Sequence, residues 1–151
     1  MFFEDHSLYS YSLPAPQTLP DVENVGWLDL EHPFSQMPSN ESFLNKLRAL
    51  IEREGVNVTR GTHKCQFCME NDVRLGNRLI LLGHTEVWVP SSSRDIIFAS
   101  PSLIYHYCDK HSYRPPDEFI ESVMAFDLES AWSGSLEAEG RILAAHKKRH
   151  M

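Results

Sequence analysis

The sequence predicts a small single domain of the α+β class. Residues 40–55 and 100–127 show the apolar periodicity of amphipathic helices, whereas residues 78–98 are rich in β-branched and aromatic residues and are interrupted by turn residues. The chain has 151 residues, of which 42% are hydrophobic, so it is long enough to bury one core. We therefore expect an antiparallel β-meander and about three helices.

Residues 1–38 are predicted to form an extended arm. Prolines remove backbone donors and disfavour helix at the preceding residue, and this segment contains Pro14, Pro16, Pro20, Pro33 and Pro38. Val25, Trp27 and Leu28 are too apolar for a segment that stays in water. The arm is therefore expected to pack on the core.

Residues 39–127 are predicted to form that core, beginning with a helix that Asn40 caps. The apolar positions of this helix share one face, at Phe43, Leu44, Leu47, Leu50 and Ile51, and Gly55 is expected to end it. Residues 71–76 are interpreted as a turn. Three strands are then predicted over residues 78–82, 85–89 and 95–98, and together they would form the meander.

Two more helices are predicted after the strands. Ser100 and Pro101 are typical of a helix start, and Asp117 with Glu118 places acidic residues in the first turn of another. Residues 128–151 are predicted to form a loosely packed tail that is partly helical over residues 136–145.

The composition argues against some classes of protein. The net charge is -7, which opposes binding to a phosphate backbone, and the basic cluster at residues 146–150 is interpreted as a solvated tail. No apolar run approaches the roughly 20 residues that span a bilayer, and the acidic N-terminus does not resemble a secretory signal. Three cysteines cannot all pair in disulfides. We therefore expect a cytoplasmic protein without a nucleic-acid or membrane partner.

Cys65 and Cys68 form a C-x2-C motif, and His106 and His111 follow the strands as H-x4-H. Two thiolates and two imidazoles can complete the tetrahedron that Zn²⁺ prefers. A redox role for the cysteine pair would need a thioredoxin-like βαβ context, which the pattern lacks. The sequence thus predicts a zinc knuckle with these four ligands.

The histidine half of this site is open to alternatives. Five residues on a continuous helix would turn His106 and His111 about 140° apart, so the helix must tighten or end near residues 109–110. Cys108 shares a helical face with His111 better than His106 does, and His63 and His84 are further competitors.

The motifs in combination resemble an uncharacterised bacterial domain family. They are the stretches at residues 3–11, 24–29, 61–68, 86–90, 101–107 and 113–116, namely FEDHSLYSY, NVGWLD, GTHKCQFC, EVWVP, PSLIYHY and YRPP. The resemblance extends from residue 3 to about residue 123 and implies a small cytoplasmic protein with Cys65, Cys68, His106 and His111 at its site. It implies no activity. Cys108 replaces a usually aliphatic residue of the family, which argues against it as a required ligand.

The favoured function is an interaction or accessory module with a structural zinc, because four protein ligands leave no open position. Its acidic charge would suit a basic protein partner. The alternative is a metal-dependent hydrolase in which water replaces one histidine and Glu86 acts as general base. Glu86 is more simply interpreted as part of the solvated face of a strand.

Overall fold

A computed structural model describes residues 1–149. The elements, in chain order, are β1 (Val22–Asn24), α1 (Glu41–Arg53), β2 (Asp72–Leu75), β3 (Arg78–Leu81), β4 (Glu86–Pro90), β5 (Ile97–Pro101), α2 (Ile104–Lys110), α3 (Asp117–Ala125) and α4 (Gly134–Arg149). The α+β class is confirmed, with a fourth helix beyond the three expected.

The strands divide between two sheets. A three-stranded sheet has the order β1-β5-β4, in which β5 is antiparallel to β4 and parallel to β1. A separate hairpin pairs β2 with β3, from Asp72 opposite Leu81 to Leu75 opposite Arg78. The predicted strands at 85–89 and 95–98 are therefore neighbours, whereas the strand at 78–82 pairs outside the expected meander.

Two local predictions were wrong. Residues 71–76 contain β2 rather than only a turn, because Gly76 and Asn77 alone make the hairpin turn and Gly76 supplies a φ of 62°. Ser100 and Pro101 belong to β5, since they pair with Val87 and Glu86, and α2 starts later at Ile104. Pairing across the sheet has overridden the helix-start signal.

The three-stranded sheet separates two apolar layers. Val87, Val89 and Phe98 face the helices, where they pack with residues of α1 and α3 such as Phe43 and Phe119. On the opposite face lies a second cluster: Tyr9, Leu19, Val22, Trp27, Val56, Trp88, Ile97, Ala99, Ala138 and Ala145. Strand alternation sends successive side chains into different layers, so β4 and β5 are buried on both faces.

The arm and α4 both contribute to the second layer. Trp27 is 6% exposed and donates its indole N–H to the Ala99 carbonyl at 3.0 Å. Ala138 and Ala145 of α4 are buried, and the Ala145 carbonyl accepts a hydrogen bond from Gln17. The division into residues 1–38, 39–127 and 128–151 stays a prediction, and the tail and the basic cluster at 146–150 extend past the described residues.

Local signals placed α1 and α3 well. The Asn40 side chain accepts a hydrogen bond from the Phe43 amide at 2.8 Å, which is the predicted cap, and α1 ends at Arg53 just before Gly55. Asp117 and Glu118 occupy the first turn of α3, where the helix dipole favours acidic groups. Within residues 1–149, no helix is both long enough and apolar enough to cross a bilayer.

Candidate metal centre

The turn that carries the two cysteines is closed by its own backbone. The Met69 amide donates to the Cys65 carbonyl at 2.7 Å, and the Cys65 amide donates to the Glu70 carbonyl at 2.9 Å. Met69 takes a φ of 64°, which reverses the chain directly after Cys68. This tight loop holds both thiols on one side of the turn.

The histidines lie on and just beyond α2. His106 is inside the helix and 2% exposed, whereas His111 is the C-terminal cap residue, with a φ of -120°. The helix therefore ends at Lys110, as the five-residue spacing required. The His111 amide donates to the Tyr107 carbonyl at 3.1 Å, and the Gln36 side chain donates to the His111 carbonyl, so the arm helps to fix this end.

The four side chains converge. One ligand atom from each of Cys65, Cys68, His106 and His111 lies within 4.8 Å of the other three. Cys65 Sγ is 3.3 Å from His111 Nε2, and Cys68 Sγ is 3.1 Å from His106 Nε2. With Zn–S near 2.3 Å and Zn–N near 2.05 Å, the S···N edge of a tetrahedron is about 3.6 Å. The set thus needs only small adjustments to surround one ion.

Burial sets the proton chemistry of the ligands. Burial raises the pKa of the Cys65 thiol. Burial lowers the pKa of His106, and the charge of the nearby His111 lowers it further. Metal binding requires a neutral imidazole and a thiolate. The environment therefore favours the neutral, metal-binding form of His106. It disfavours the thiolate of Cys65, which would form on binding of a metal cation.

An aromatic cluster packs against this centre. The Phe67 ring, between the two cysteines, lies 5.2 Å from the His111 ring and 6.0 Å from Tyr107. Phe34 of the arm is 5.4 Å from Phe67. Cys68 remains exposed and His111 partly exposed, so the centre lies at the surface with its inner half shielded.

The competing ligands lie outside the cluster. Cys108 is buried in the helical layer, and this burial raises the pKa of its thiol. His63 Nε2 is 3.3 Å from the Tyr11 hydroxyl. The buried Nδ1 of His84 has no hydrogen-bond partner among residues 1–149. Among the described residues, only the four predicted ligands form such a cluster.

Glu86 was interpreted as solvent-facing, and this was wrong. It is 3% exposed, and its carboxylate accepts hydrogen bonds from Tyr9 and Asn57 at Oε2 and from Trp88 at Oε1. Burial raises its pKa to about 7. Sequence reasoning missed this network because Tyr9, Asn57 and Glu86 are remote along the chain. The one available signal was that Glu86 shares a strand face with Trp88.

Comparison with known proteins gives a family without an assigned function. A family model described as "Domain of unknown function (DUF7919)" matches residues 1–124. No curated protein and no solved structure matches the chain. The matched range contains all four residues of the candidate centre.

Proposed function

The chain belongs to the DUF7919 family, and from this premise we propose that it is a zinc-binding accessory protein whose metal is structural. The observation that carries the proposal is the convergence of Cys65, Cys68, His106 and His111 within 4.8 Å. Thiolate and imidazole are the ligands that Zn²⁺ prefers, and a Cys2His2 set fills its four positions. The zinc would therefore join the cysteine turn to α2.

The local structure explains why such a link is useful. Residues 54–71 contain no helix or strand element, and their described contacts include isolated backbone bonds such as Thr59 to His84 and His63 to Gly83. Structural zinc contributes about 10–16 kcal/mol of apparent binding free energy in small domains. A link of that strength would hold this segment on the core.

The surroundings favour a closed centre over a hydrolytic one. Glu86, the general base of the alternative function, is outside the ligand cluster, and its carboxylate is already bonded to three neutral donors. Its position gives the hydrolase function no support. The accessory function follows from the closed ligand set.

A partner and a location complete the proposal. The net charge of -7 would speed association with a basic protein, and three free thiols suit the reducing cytoplasm. The partner is tested by recovering the chain with its bound proteins from whole-cell extract at low and high salt. The location is tested by measuring which cell fraction contains the chain. Partners that are not basic, or that are retained equally at high salt, would contradict the charge argument.

Metal analysis tests the proposal directly. The purified chain should contain about one zinc, and Cys65→Ala or Cys68→Ala should lower zinc content and melting temperature together. Cys108→Ala is the matched control, because it removes a buried thiol of the same helical layer outside the cluster. Equal zinc content in all three variants would overturn the assignment.

Cobalt substitution separates a closed centre from an open one. A tetrahedral site with two sulfur and two nitrogen ligands should give intense visible bands that added azide leaves unchanged. Bands that shift with azide would show an exchangeable position and would restore the hydrolase alternative.

A further inference from the structure

A cavity of about 90 Å³ lies beside the cysteine turn, separate from the metal cluster. Three aromatic side chains line it: Tyr11, Trp27 and Tyr107. Trp27 and Tyr107 are buried in the protein, and the rings of Tyr11 and Trp27 are 5.0 Å apart. Aromatic faces carry negative electrostatic potential, so a cavity with several of them attracts cations.

The same cavity is lined by Glu86, a buried carboxylate without a counter-ion. No ion pair in the described part of the chain includes Glu86, and its partners Tyr9, Asn57 and Trp88 are all neutral. A carboxylate has about four acceptor sites, of which these donors use three. One acceptor site is therefore left for a further donor, and a cationic donor would also neutralise the charge.

The cavity also contains groups that do not favour a cation. Lys64 lies on its lining, but its side chain is exposed to solvent, where water screens its charge. His63 is exposed as well, and His84 contributes a partly buried ring. The most buried side chains of the lining are therefore aromatic, aliphatic or acidic, and Glu86 is the charged one among them. The cationic Lys64 is at the solvent side, and His84 adds a ring nitrogen that is buried.

From these observations we propose that the cavity binds a small organic cation, an amine attached to a compact apolar body. The ammonium group would donate a hydrogen bond to Glu86, and the apolar body would pack against Trp27 and Tyr107. Leu28 and Leu103 extend the apolar lining around it.

The metal centre and the cavity share two chain segments. His63, Lys64 and Gln66 line the cavity, whereas Cys65, between them, joins the metal cluster. On α2, Tyr107 lines the cavity next to His106 of the cluster. A zinc that fixes these segments would also fix one side of the cavity. The proposed binding of a cation in the cavity would be a function separate from the structural role of the metal.

The zinc content of the full chain is measured first. The chain is then titrated calorimetrically with benzylamine, benzyl alcohol and benzoate at about pH 8, where Glu86, whose pKa burial raises to about 7, is mostly ionised and the amine is still protonated. Benzylamine should bind saturably and at least about tenfold more tightly than benzyl alcohol, because a charge-assisted hydrogen bond and a cation–π contact together exceed 1.4 kcal/mol. Glu86→Gln should remove this preference. Tyr11 is less buried than Glu86, so Tyr11→Leu should weaken the binding of benzylamine several-fold without unfolding the chain.

Three results would overturn the proposal: equal binding of the amine and the alcohol, tighter binding of benzoate, or no saturable binding to the chain as purified. The third result leaves the zinc proposal intact when the same sample contains about one zinc. Conversely, amine-selective binding by a chain without zinc would support the cavity and contradict the metal centre.

Discussion

Gly83 and His63 approach each other backbone to backbone. The His63 amide donates to the Gly83 carbonyl at 2.8 Å, and a Cβ added to Gly83 would collide with the His63 carbonyl oxygen. Gly83 also has a φ of 93°, a conformation that side chains disfavour. The glycine thus allows the segment before Cys65 to lie on the turn between β3 and β4.

Gly83→Ala should therefore displace the cysteine turn. We expect a loss of roughly 2–4 kcal/mol in the free energy of unfolding, from backbone strain and overpacking together, with weaker zinc retention against a chelator. Gly76→Ala is the matched control, since Gly76 has a φ of 62° but no atom of the described part of the chain lies within 4 Å of the added Cβ. The free energy of unfolding of both variants is measured by urea unfolding. An equal loss of stability in Gly83→Ala and Gly76→Ala would show that the contact with His63 is unimportant.

Stability should depend on pH through Glu86. Burial raises its pKa from the ordinary value of 4.5 to about 7, although the hydrogen bonds from Trp88, Tyr9 and Asn57 act in the opposite direction. Between these values the folded chain binds more protons than the unfolded chain, so this group lowers the free energy of unfolding as pH rises. The accumulated loss is about 3 kcal/mol above pH 7.

Glu86→Gln cannot titrate and provides the comparison. The free energy of unfolding of the unsubstituted chain is compared with that of Glu86→Gln at each pH. The difference, unsubstituted minus variant, should fall between pH 4.5 and 7 and then level off. Loss of any metal bound at Cys65 and His106 in acid would affect both chains equally, so the difference between them isolates Glu86. A difference that stays constant with pH would contradict the raised pKa.

Arg53 is expected to anchor the loop between α3 and α4. Its guanidinium donates to the carbonyls of Leu128, Ser130 and Trp132, with the shortest of these distances at 2.7 Å. Arg53→Lys cannot keep all three bonds, and leaving carbonyls unpaired should cost about 1–3 kcal/mol. Arg48→Lys is the control on the same helix, because Arg48 makes one long bond to Asn45. Hydrogen exchange of residues 128–133 should increase in the Arg53 variant alone.

The arm should contribute to the stability of the domain. Trp27 is buried against the three-stranded sheet, so Trp27→Ala should cost about 3–5 kcal/mol. Leu30 is 64% exposed, and Leu30→Ala should change stability by less than about 0.5 kcal/mol. Deletion of residues 1–33 also removes β1, so it should lower the stability of the domain more than Trp27→Ala does. A truncated chain as stable as the full one would show that the arm is a separate binding element.

The sequence by itself determined the features that depend on near neighbours. The cap at Asn40 and the periodicity after it specify α1, and the acidic pair at Asp117 specifies the start of α3. The C-x2-C spacing similarly placed Cys65 and Cys68 on one turn. In each case the relevant atoms lie within a few residues of one another, so local geometry is sufficient.

The tertiary structure decided what depends on distant pairing. Ser100 and Pro101 carry a helix-start signal, yet bonds to β4 place them in a strand. Residue spacing left His106 and Cys108 as competing ligands, and the end of α2 at Lys110 brought His106 and His111 together with the thiols. Glu86 became buried because Tyr9 and Asn57 reach it from other parts of the chain. Such contacts are chosen by the free energy of the whole core, which no local window of sequence contains.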